Sequence, residues 1–276
     1  MERIAWKDLS DDLKSAIERR TGPILDAQTM TAGQNSPVSA AVTTAEGKTF
    51  VKGLPTGDRG AASQVREAAV APLVSHISPR LLWQFEEAGW HVLGYEHVEG
   101  RHADYSPDSP DPDALVPVML TLGDVDVPDP GPFKRAEDRF KTYVDDPDVL
   151  SIFSGSTLQH TDWVPQNVLI ADRPYLIDWA WPTLGAAWMD PAYFLLRLMA
   201  SGYTLTQAER WAARFPAFAE ADPRHIDVFA AANVRMWDEI ETQATGHRMR
   251  TWMRGVLAAS REWDEHRRGR TRLPVR

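Results

Sequence analysis

The sequence predicts an α+β protein of two lobes: a small N-terminal lobe with an antiparallel β-sheet and one helix, and a larger, mainly helical C-terminal lobe. Short β-favouring runs dominate the first hundred of the 276 residues, with a helical stretch among them. Residues 104–148 then hold twelve acidic side chains, four basic ones and eight prolines. Helical periodicity dominates from Asp190 onward. These observations predict lobes of residues 1–97 and 98–276.

The N-terminal lobe is predicted to open with a short amphipathic helix. Ser10 or Asp8 is placed to cap its first turn, and Gly22 is placed to end it. The elements that follow alternate between β-favouring runs and one helical run. They are predicted as a hairpin of strands 38–45 and 48–52, a helix at 63–75, and strands at 81–85 and 91–95.

The C-terminal lobe is predicted to contain one short strand pair followed by helices. The strand pair is predicted at 168–170 and 175–177, where apolar runs are separated by turn residues. Thr206 and Glu209 have the spacing of a capping box, and a second helix opens at Pro223. Gly246 and Gly269 are predicted to bracket a third helix.

Composition excludes several classes of function. The formal net charge is −9, which repels nucleic-acid phosphates. With no cysteine in the chain, disulfides, thiolate metal sites and cysteine nucleophiles are ruled out. No apolar run approaches the roughly 18 residues of a membrane span, and the N-terminus is acidic too early for a signal peptide. We therefore expect a cytoplasmic protein, a monomer or weak dimer, that binds neither nucleic acid nor membrane.

The most informative stretch is HTDWVPQN at residues 160–167, followed by YLIDW at 175–179. Phosphoryl transfer needs a carboxylate beside the attacking hydroxyl and oxygen ligands that hold Mg²⁺ on the nucleotide phosphates. Asp162, Asn167 and Asp178 supply these three groups. Few other chemistries need this spacing.

These residues resemble the aminoglycoside phosphotransferase family of antibiotic kinases, whose pattern is H-x-D-x-x-x-x-N followed by a strand ending in I-D. The resemblance implies a two-lobed protein-kinase-like fold in which Asp162 orients or deprotonates the acceptor hydroxyl. Asn167 and Asp178 would bind Mg²⁺. His160 would support the loop, and Asp190, in an Asp-Pro-Ala segment that also resembles the family, would stabilise it without reacting.

The family's phosphate-binding parts have counterparts upstream, in the expected order. Lys52 ends the second hairpin strand and Glu67 lies on the following helix, so the two are expected to form an ion pair that fixes the lysine over the α- and β-phosphates. The loop at 31–37 has one glycine rather than the usual glycine-rich pattern. Gly33 and Asn35 are the residues in this loop expected to contact the nucleotide.

The segment LGYEHVEG at 93–100 resembles the family's hinge, which ends in a glycine. By that register, the Glu96 carbonyl and the Val98 amide face the edge of the adenine. The sequence leaves open whether ATP or GTP is the donor.

The acceptor is expected to be a hydroxylated small molecule that carries positive charge, such as an aminoglycoside or another antibiotic, phosphorylated for resistance or self-protection. Glu137 and Asp138 lie where the family places an inserted helical segment of the acceptor pocket, and Trp237 is a candidate for the same pocket. A solvated acidic linker is the alternative interpretation of the two carboxylates.

Three other functions remain open. A metabolic small-molecule kinase, acting on an alcohol such as choline or homoserine, would use the same machinery. A pseudokinase would bind nucleotide without turnover, although the complete set of Asp162, Asn167 and Asp178 argues against it. A protein kinase is disfavoured because no Ala-Pro-Glu element follows Asp178.

Overall fold

The computed structural model describes residues 3–30, 36–128, 131–243 and 247–271. By their contacts, residues group into two compact units. The first comprises Met1–His102, Pro128–Pro132 and Gln166–Trp181, and the second comprises Ala103–Val127, Phe133–Pro165 and Pro182–Arg276. The lobe boundary after residue 97 stays a prediction. None of the described helices combines the length and apolarity needed to span a membrane.

The regular elements are numbered along the chain. The helices are α1 (Asp11–Thr21), α2 (Ala61–Val70), α3 (Asp111–Gly123), α4 (Ala136–Phe140), α5 (Met189–Ala200), α6 (Leu205–Ala212), α7 (Pro216–Ala219), α8 (Pro223–Gln243) and α9 (His247–Thr271). The strands are β1 (Ile24–Thr29), β2 (Val38–Thr44), β3 (Gly47–Pro55), β4 (Leu81–Glu87), β5 (Trp90–Glu96), β6 (Arg101–His102), β7 (Lys134–Arg135), β8 (Thr157–Gln159), β9 (Val168–Ile170), β10 (Pro174–Leu176) and β11 (Thr183–Gly185). Short 3₁₀ helices lie at Trp6–Asp8, Pro147–Phe153 and Pro165–Asn167.

The first unit is built on an antiparallel five-stranded sheet in the order β1-β2-β3-β5-β4. One face buries Val42, Val51 and Val92 against Leu13 and Ile17 of α1, and all five side chains are inaccessible to solvent. Removing these side chains from water is the main stabilisation of this face. The predicted antiparallel sheet is therefore present, and it includes a strand, β1, that the sequence analysis did not identify.

Gly94 shows how closely the sheet is packed. It lies opposite Trp83 in the pairing of β4 with β5. A Cβ atom at residue 94 would lie 2.2 Å from Cε2 of the Trp83 ring, so the indole occupies the space that any other side chain would need. Glycine at this position is required by a neighbouring side chain rather than by a turn.

Several predicted helix ends are correct and others are wrong. Ser10 caps α1, because its Oγ accepts from the Leu13 N–H at 3.3 Å, and Gly22 ends that helix with a φ of 80°. The capping box is formed by Thr204 and Gln207, two residues earlier than the predicted pair of Thr206 and Glu209. The predicted helix at 63–75 is shorter, ending as α2 at residue 70.

The predicted end of the last helix is also wrong. Gly269 lies inside α9 and does not end it. An isolated glycine costs a helix only about 1 kcal/mol, which long flanking segments tolerate. Gly246, predicted to precede this helix, lies outside the described residues.

The second unit is mainly helical and packs around α5. Every residue of α5 except its last is buried. Aromatic contacts join the elements around it: Phe140 of α4 stacks on Phe153 with ring centroids 4.3 Å apart, and Phe194 of α5 meets Trp211 of α6 at 4.2 Å. A sheet-based unit and a helical unit together confirm the α+β class.

Candidate active site

A cleft of about 520 Å³ lies within the first unit, between the sheet, α2, residues 96–100 and the β9–β10 hairpin. Its volume is in the range of small-molecule and cofactor sites. Six of the site residues predicted from the sequence line this first-unit cleft: Lys52, Glu67, Glu96, Val98, Asn167 and Asp178. Gly33 and Asn35 lie outside the described residues, so their assignment stays a prediction.

Lys52 is held between two carboxylates in the cleft. Its Nζ lies 2.7 Å from Oε2 of Glu67 and 2.8 Å from Oδ1 of Asp178, and only 12% of its side chain is exposed. Burial lowers the pKa of Lys52, but the charges of Asp178 and Glu67 outweigh burial and raise that pKa above its ordinary value. The residue is therefore a fixed ammonium group. The expected pair with Glu67 is present, and the contact with Asp178 adds a second partner.

Glu67 and Tyr95 are buried residues that line the same cleft as Lys52. Burial raises the pKa of Glu67, against the opposing charge of Lys52. Burial also raises the pKa of Tyr95 well above its ordinary value, and the neighbouring Glu67 charge adds to the effect. Tyr95 is not among the site residues predicted from the sequence, although it precedes Glu96 on the strand that leads into the hinge-like segment.

Asn167 and Asp178 are brought together by the β9–β10 hairpin. The Asn167 carbonyl accepts from the Ile177 N–H at 2.8 Å, so Asp178 follows directly after a residue bonded to Asn167. Asp178 has a φ of 64°, which turns the chain at the end of the hairpin. About 27% of its side chain is exposed.

This pair fits a magnesium ion that is carried by a nucleotide. Within the described ranges no group of three or more His, Asp or Glu side chains could hold a metal by itself. Mg²⁺ is commonly bound by one or two protein oxygens together with substrate phosphates and water. The side-chain oxygens of Asn167 and Asp178, which line the same cleft as Lys52, match that donor set.

The hinge-like segment is fixed by the same hairpin. At Gly100, a Cβ atom would lie 2.8 Å from the Ile170 carbonyl oxygen, so the segment passes β9 more closely than another residue would permit. Glu96 is anchored at the other end, since its N–H donates to the Arg80 carbonyl at 2.9 Å and its carboxylate pairs with the Arg80 guanidinium at 2.8 Å. The two ends of the segment are therefore held differently: Glu96 by hydrogen bonds and an ion pair with Arg80, and Gly100 by packing against Ile170 that leaves no space for a side chain.

A second set of predicted residues lies in the second unit, in residues 160–165 of the loop 160–167, which we call the candidate catalytic loop. The carboxylate of Asp190 accepts from the backbone N–H groups of His160 and Thr161 at 2.8 and 2.9 Å. The Asp190 N–H in turn donates to Oε1 of Gln159 at 2.8 Å. Burial raises the pKa of Asp190, and the two N–H donors act in the opposite direction. Asp190 thereby ties the loop to the first turn of α5.

Asp162 is partly exposed and is oriented from two sides. Its N–H donates to Nδ1 of His160 at 3.3 Å, and its Oδ1 accepts from Nη2 of Arg197 at 3.3 Å. About 46% of the Asp162 side chain is exposed, against 5% for Arg197. The guanidinium lies over the rings of Trp237 and Trp252, 4.7 and 5.2 Å from their centroids. Such contacts stabilise a buried cation.

Arg197 is a candidate functional residue that the sequence analysis missed. Burial lowers its pKa, and the Asp162 charge acts against this effect. The available signal was a single arginine in the otherwise apolar stretch AYFLLRLMA of α5, since a buried charge requires a partner.

The three residues assigned to an acceptor pocket occupy different environments. Trp237 is 7% exposed and packs against Arg197. Asp138 lies exposed on α4 and pairs with Lys141 at 3.5 Å. Glu137 has one buried carboxylate oxygen for which no described residue is a hydrogen-bond donor. Their assignment to the pocket stays a prediction.

Comparisons with known proteins identify the fold. No family model matches the sequence, and no curated protein sequence matches it. Solved structures do match. Choline kinase LicA from Streptococcus pneumoniae has a TM-score of 0.60 and 14% identity over 91% of this chain and 99% of its own. Aminoglycoside phosphotransferase APH(4)-Ia has a TM-score of 0.59 and 13% identity over 90% of this chain and 97% of its own.

A third structure, the GDP complex of aminoglycoside 2'-phosphotransferase-IIIa, has a TM-score of 0.55 and 14% identity over 93% of this chain and 99% of its own. The chain therefore has the two-lobed, kinase-like α+β fold of these phosphotransferases. The fold class and the resemblance predicted from the loop motif are confirmed at the level of the fold.

Proposed function

We propose that this protein is a small-molecule kinase that transfers the γ-phosphoryl group of ATP to a hydroxyl group of its acceptor. The observation that carries the proposal is the cleft in which Lys52 is held by Glu67 and Asp178, with Asn167 on the same wall. A fixed ammonium group beside two oxygen ligands is the arrangement that binds a magnesium nucleotide. Matched structures that contain AMP, ADP and AMP-PNP support an adenine nucleotide as donor, and the matched GDP complex keeps GTP as the alternative donor.

In the first-unit cleft, each residue has a distinct task. Lys52 would bind the oxygens of the α- and β-phosphates, and Glu67 would hold that lysine in place. Asn167 and Asp178 would hold Mg²⁺, which neutralises phosphate charge when bound. The Glu96 carbonyl and the Val98 amide would hydrogen-bond the edge of the base.

Asp162 would act on the acceptor. The acceptor oxygen attacks the γ-phosphorus, the bond from that phosphorus to the β,γ-bridging oxygen breaks, and the hydroxyl proton passes to the Asp162 carboxylate. The products are a phosphate monoester and ADP.

We further propose that the acceptor is a cationic alcohol. Two observations support this class: the net charge of −9 favours cations, and the matched structures include a choline kinase and a complex of APH(4)-Ia with hygromycin B. Choline and aminoglycosides share hydroxyl groups and positive charge. An antibiotic acceptor would give the protein a role in resistance or self-protection, whereas a choline-like acceptor would make it a metabolic kinase.

The test is Mg²⁺-dependent release of ADP from ATP, measured with hygromycin B, other aminoglycosides, choline and homoserine. We expect one acceptor class to stimulate release, and Asp162→Asn to reduce it by about 10²- to 10⁴-fold, the range for loss of a general base. Nucleotide binding by calorimetry should be unchanged. Asp124→Asn is the matched control, since Asp124 is exposed at the end of α3.

Three results would contradict the proposal. Turnover of Asp162→Asn within a few-fold of the wild type would remove Asp162 from the reaction. Binding of Mg·ATP without release with any acceptor would favour a pseudokinase. Incorporation of phosphate into protein would favour a protein kinase.

A further inference from the structure

Thr161, between His160 and Asp162, has an unfavourable backbone conformation. Its φ is 68°, in the left-handed region that favours glycine. A β-branched residue is rarely found there, because its side chain crowds the backbone. Thr161 is also only 4% exposed. Contacts with its surroundings must therefore hold this conformation.

Arg139 provides such a contact. Its Nη1 donates to Oγ1 of Thr161 at 2.7 Å and to Oγ1 of Thr183 at 2.8 Å. Thr183, on β11, is inaccessible to solvent. One guanidinium nitrogen thus connects α4, the candidate catalytic loop and β11 through hydrogen bonds from a charged donor, which are stronger than neutral ones.

Both ends of this connection are anchored. Phe140, the residue after Arg139, is fully buried and stacks on Phe153 with an interplanar angle of 4°. Thr183 pairs with Gln159 in the β8–β11 ladder, directly before the loop. Arg139 therefore holds the Thr161 side chain against fixed elements, while Asp190 holds the Thr161 N–H.

We propose that Arg139 is a positioning residue for Asp162: by donating to the Thr161 hydroxyl it keeps residue 161 in its left-handed conformation, which sets the direction of the next side chain. The role of Arg139 in holding the loop does not depend on the reaction that the protein catalyses. Its effect on turnover rests on the proposed function.

The test combines Arg139→Met with Thr161→Gly, because glycine adopts a positive φ without support from a side chain. The first readout is hydrogen exchange of the amides at 161 and 162 in the full chain. We expect Arg139→Met to increase their exchange about tenfold or more, as for loss of a charged hydrogen bond. Thr161→Gly should stay close to the wild type, and adding Arg139→Met to it should change exchange less than threefold.

Two further variants separate positioning from general damage. Arg139→Lys retains a charged donor, so the amides at 161 and 162 should keep part of their protection in this variant. It replaces Arg139→Met in the comparison if Arg139→Met folds poorly. Thr183→Val removes the other acceptor of Arg139 and leaves the Thr161 contact, so it should affect exchange at 161 and 162 less than Arg139→Met does. Equal effects of Arg139→Met in the wild-type and Thr161→Gly backgrounds, or no effect in either, would overturn the proposal.

The kinetic readout distinguishes this inference from the proposed function. With an acceptor that stimulates ADP release, Arg139→Met should lower kcat about tenfold or more and leave KM for ATP unchanged, since Lys52 and its partners are untouched. Thr161→Ser, which retains the hydroxyl, should keep most of kcat. If no acceptor stimulates release in the wild type, the proposed function fails, while the exchange measurement still decides the role of Arg139 in the loop.

Discussion

Replacing Lys52 with methionine tests whether the buried ammonium group organises the first-unit cleft. The side chains of Lys52 and Glu67 are 12% and 7% exposed, so the substitution removes the cation beside Glu67 in a nearly dry site, and it also removes the contact of Lys52 with Asp178. Breaking a buried pair from one side costs about 3–5 kcal/mol. Burial already raises the pKa of Glu67, so protonation relieves part of that cost. We therefore expect a loss near the lower limit, about 3 kcal/mol at pH 7.

The sign of the pH dependence follows from the same residues. In Lys52→Met, loss of the neighbouring cation raises the pKa of Glu67 further above its unfolded value, so the native variant binds a proton at pH values where the unfolded chain does not. The free energy of unfolding that the variant loses relative to the wild type should therefore become smaller as the pH falls from 7 to 5. Urea unfolding, followed by tryptophan fluorescence at the two pH values, measures both quantities.

A double variant, Lys52→Met with Glu67→Leu, provides the matched control. Replacing a buried pair by apolar side chains is often neutral or stabilising, so we expect the double variant to regain the part of the lost stability that comes from Glu67. The contact of Lys52 with Asp178, whose side chain is 27% exposed, is still missing in the double variant. The double variant should not regain binding of Mg·ATP, measured by calorimetry, because the ammonium group is still missing. This separates the contribution of Lys52 to stability from its contribution to ligand binding.

Two results would contradict this role of Lys52. If Lys52→Met unfolds within about 0.5 kcal/mol of the wild type, the ion pairs do not stabilise the cleft, because surface substitutions have effects of this size. If the single variant binds Mg·ATP as tightly as the wild type, Lys52 is not a phosphate ligand.

Further predictions concern the same unit. Burial lowers the pKa of His97, and the Lys48 charge lowers it further, so the native state binds fewer protons than the unfolded chain and stability should decline as the pH falls below about 6.5. Lys48→Met should weaken this decline, measured as Tm between pH 7.5 and 5.5. Gly94→Ala would place a Cβ atom 2.2 Å from Trp83 and should cost about 1–3 kcal/mol in urea unfolding. Gly57→Ala, with no atom within 4 Å of its Cβ, should cost less than about 0.5 kcal/mol; equal losses would contradict the packing argument.

The sequence predicted the contacts that depend on the order of elements. The pairing of Lys52 with Glu67 follows from a strand and the next helix, each recognisable by its own periodicity. The sequence was less decisive where two nearby residues could both cap the same helix. Thr204 and Thr206 both have a suitable residue three positions later, and the structure starts α6 with the first. Which threonine caps α6 depends on how the helix packs, and the capping pattern carries no information about packing.

Helix α3 illustrates a different limit. It lies in the acidic, proline-rich region, where the composition indicates a linker. Its prolines at residues 110 and 112 fall at the start of the helix, where a missing N–H costs nothing, and Pro117 lies inside it. The buried side chains of Leu115, Val118, Met119 and Leu122 stabilise the helix by tertiary contacts. A high proline content therefore does not exclude a helix when the buried face of that helix stabilises it.

The loop motif identified the residue types of the candidate site, but their geometry comes from elements that the motif does not include. Arg139 reaches Thr161 from α4, and Arg197 reaches Asp162 from α5, so two cations far apart in sequence act on adjacent residues. Neither arginine has a fixed spacing from the loop that a pattern could encode. A second chain with the same H-x-D sequence but with glycine after the histidine would not need Arg139 to maintain a left-handed conformation. We therefore expect residues 139 and 161 to be coupled, so that the effect of replacing the arginine depends on which residue lies between His160 and Asp162.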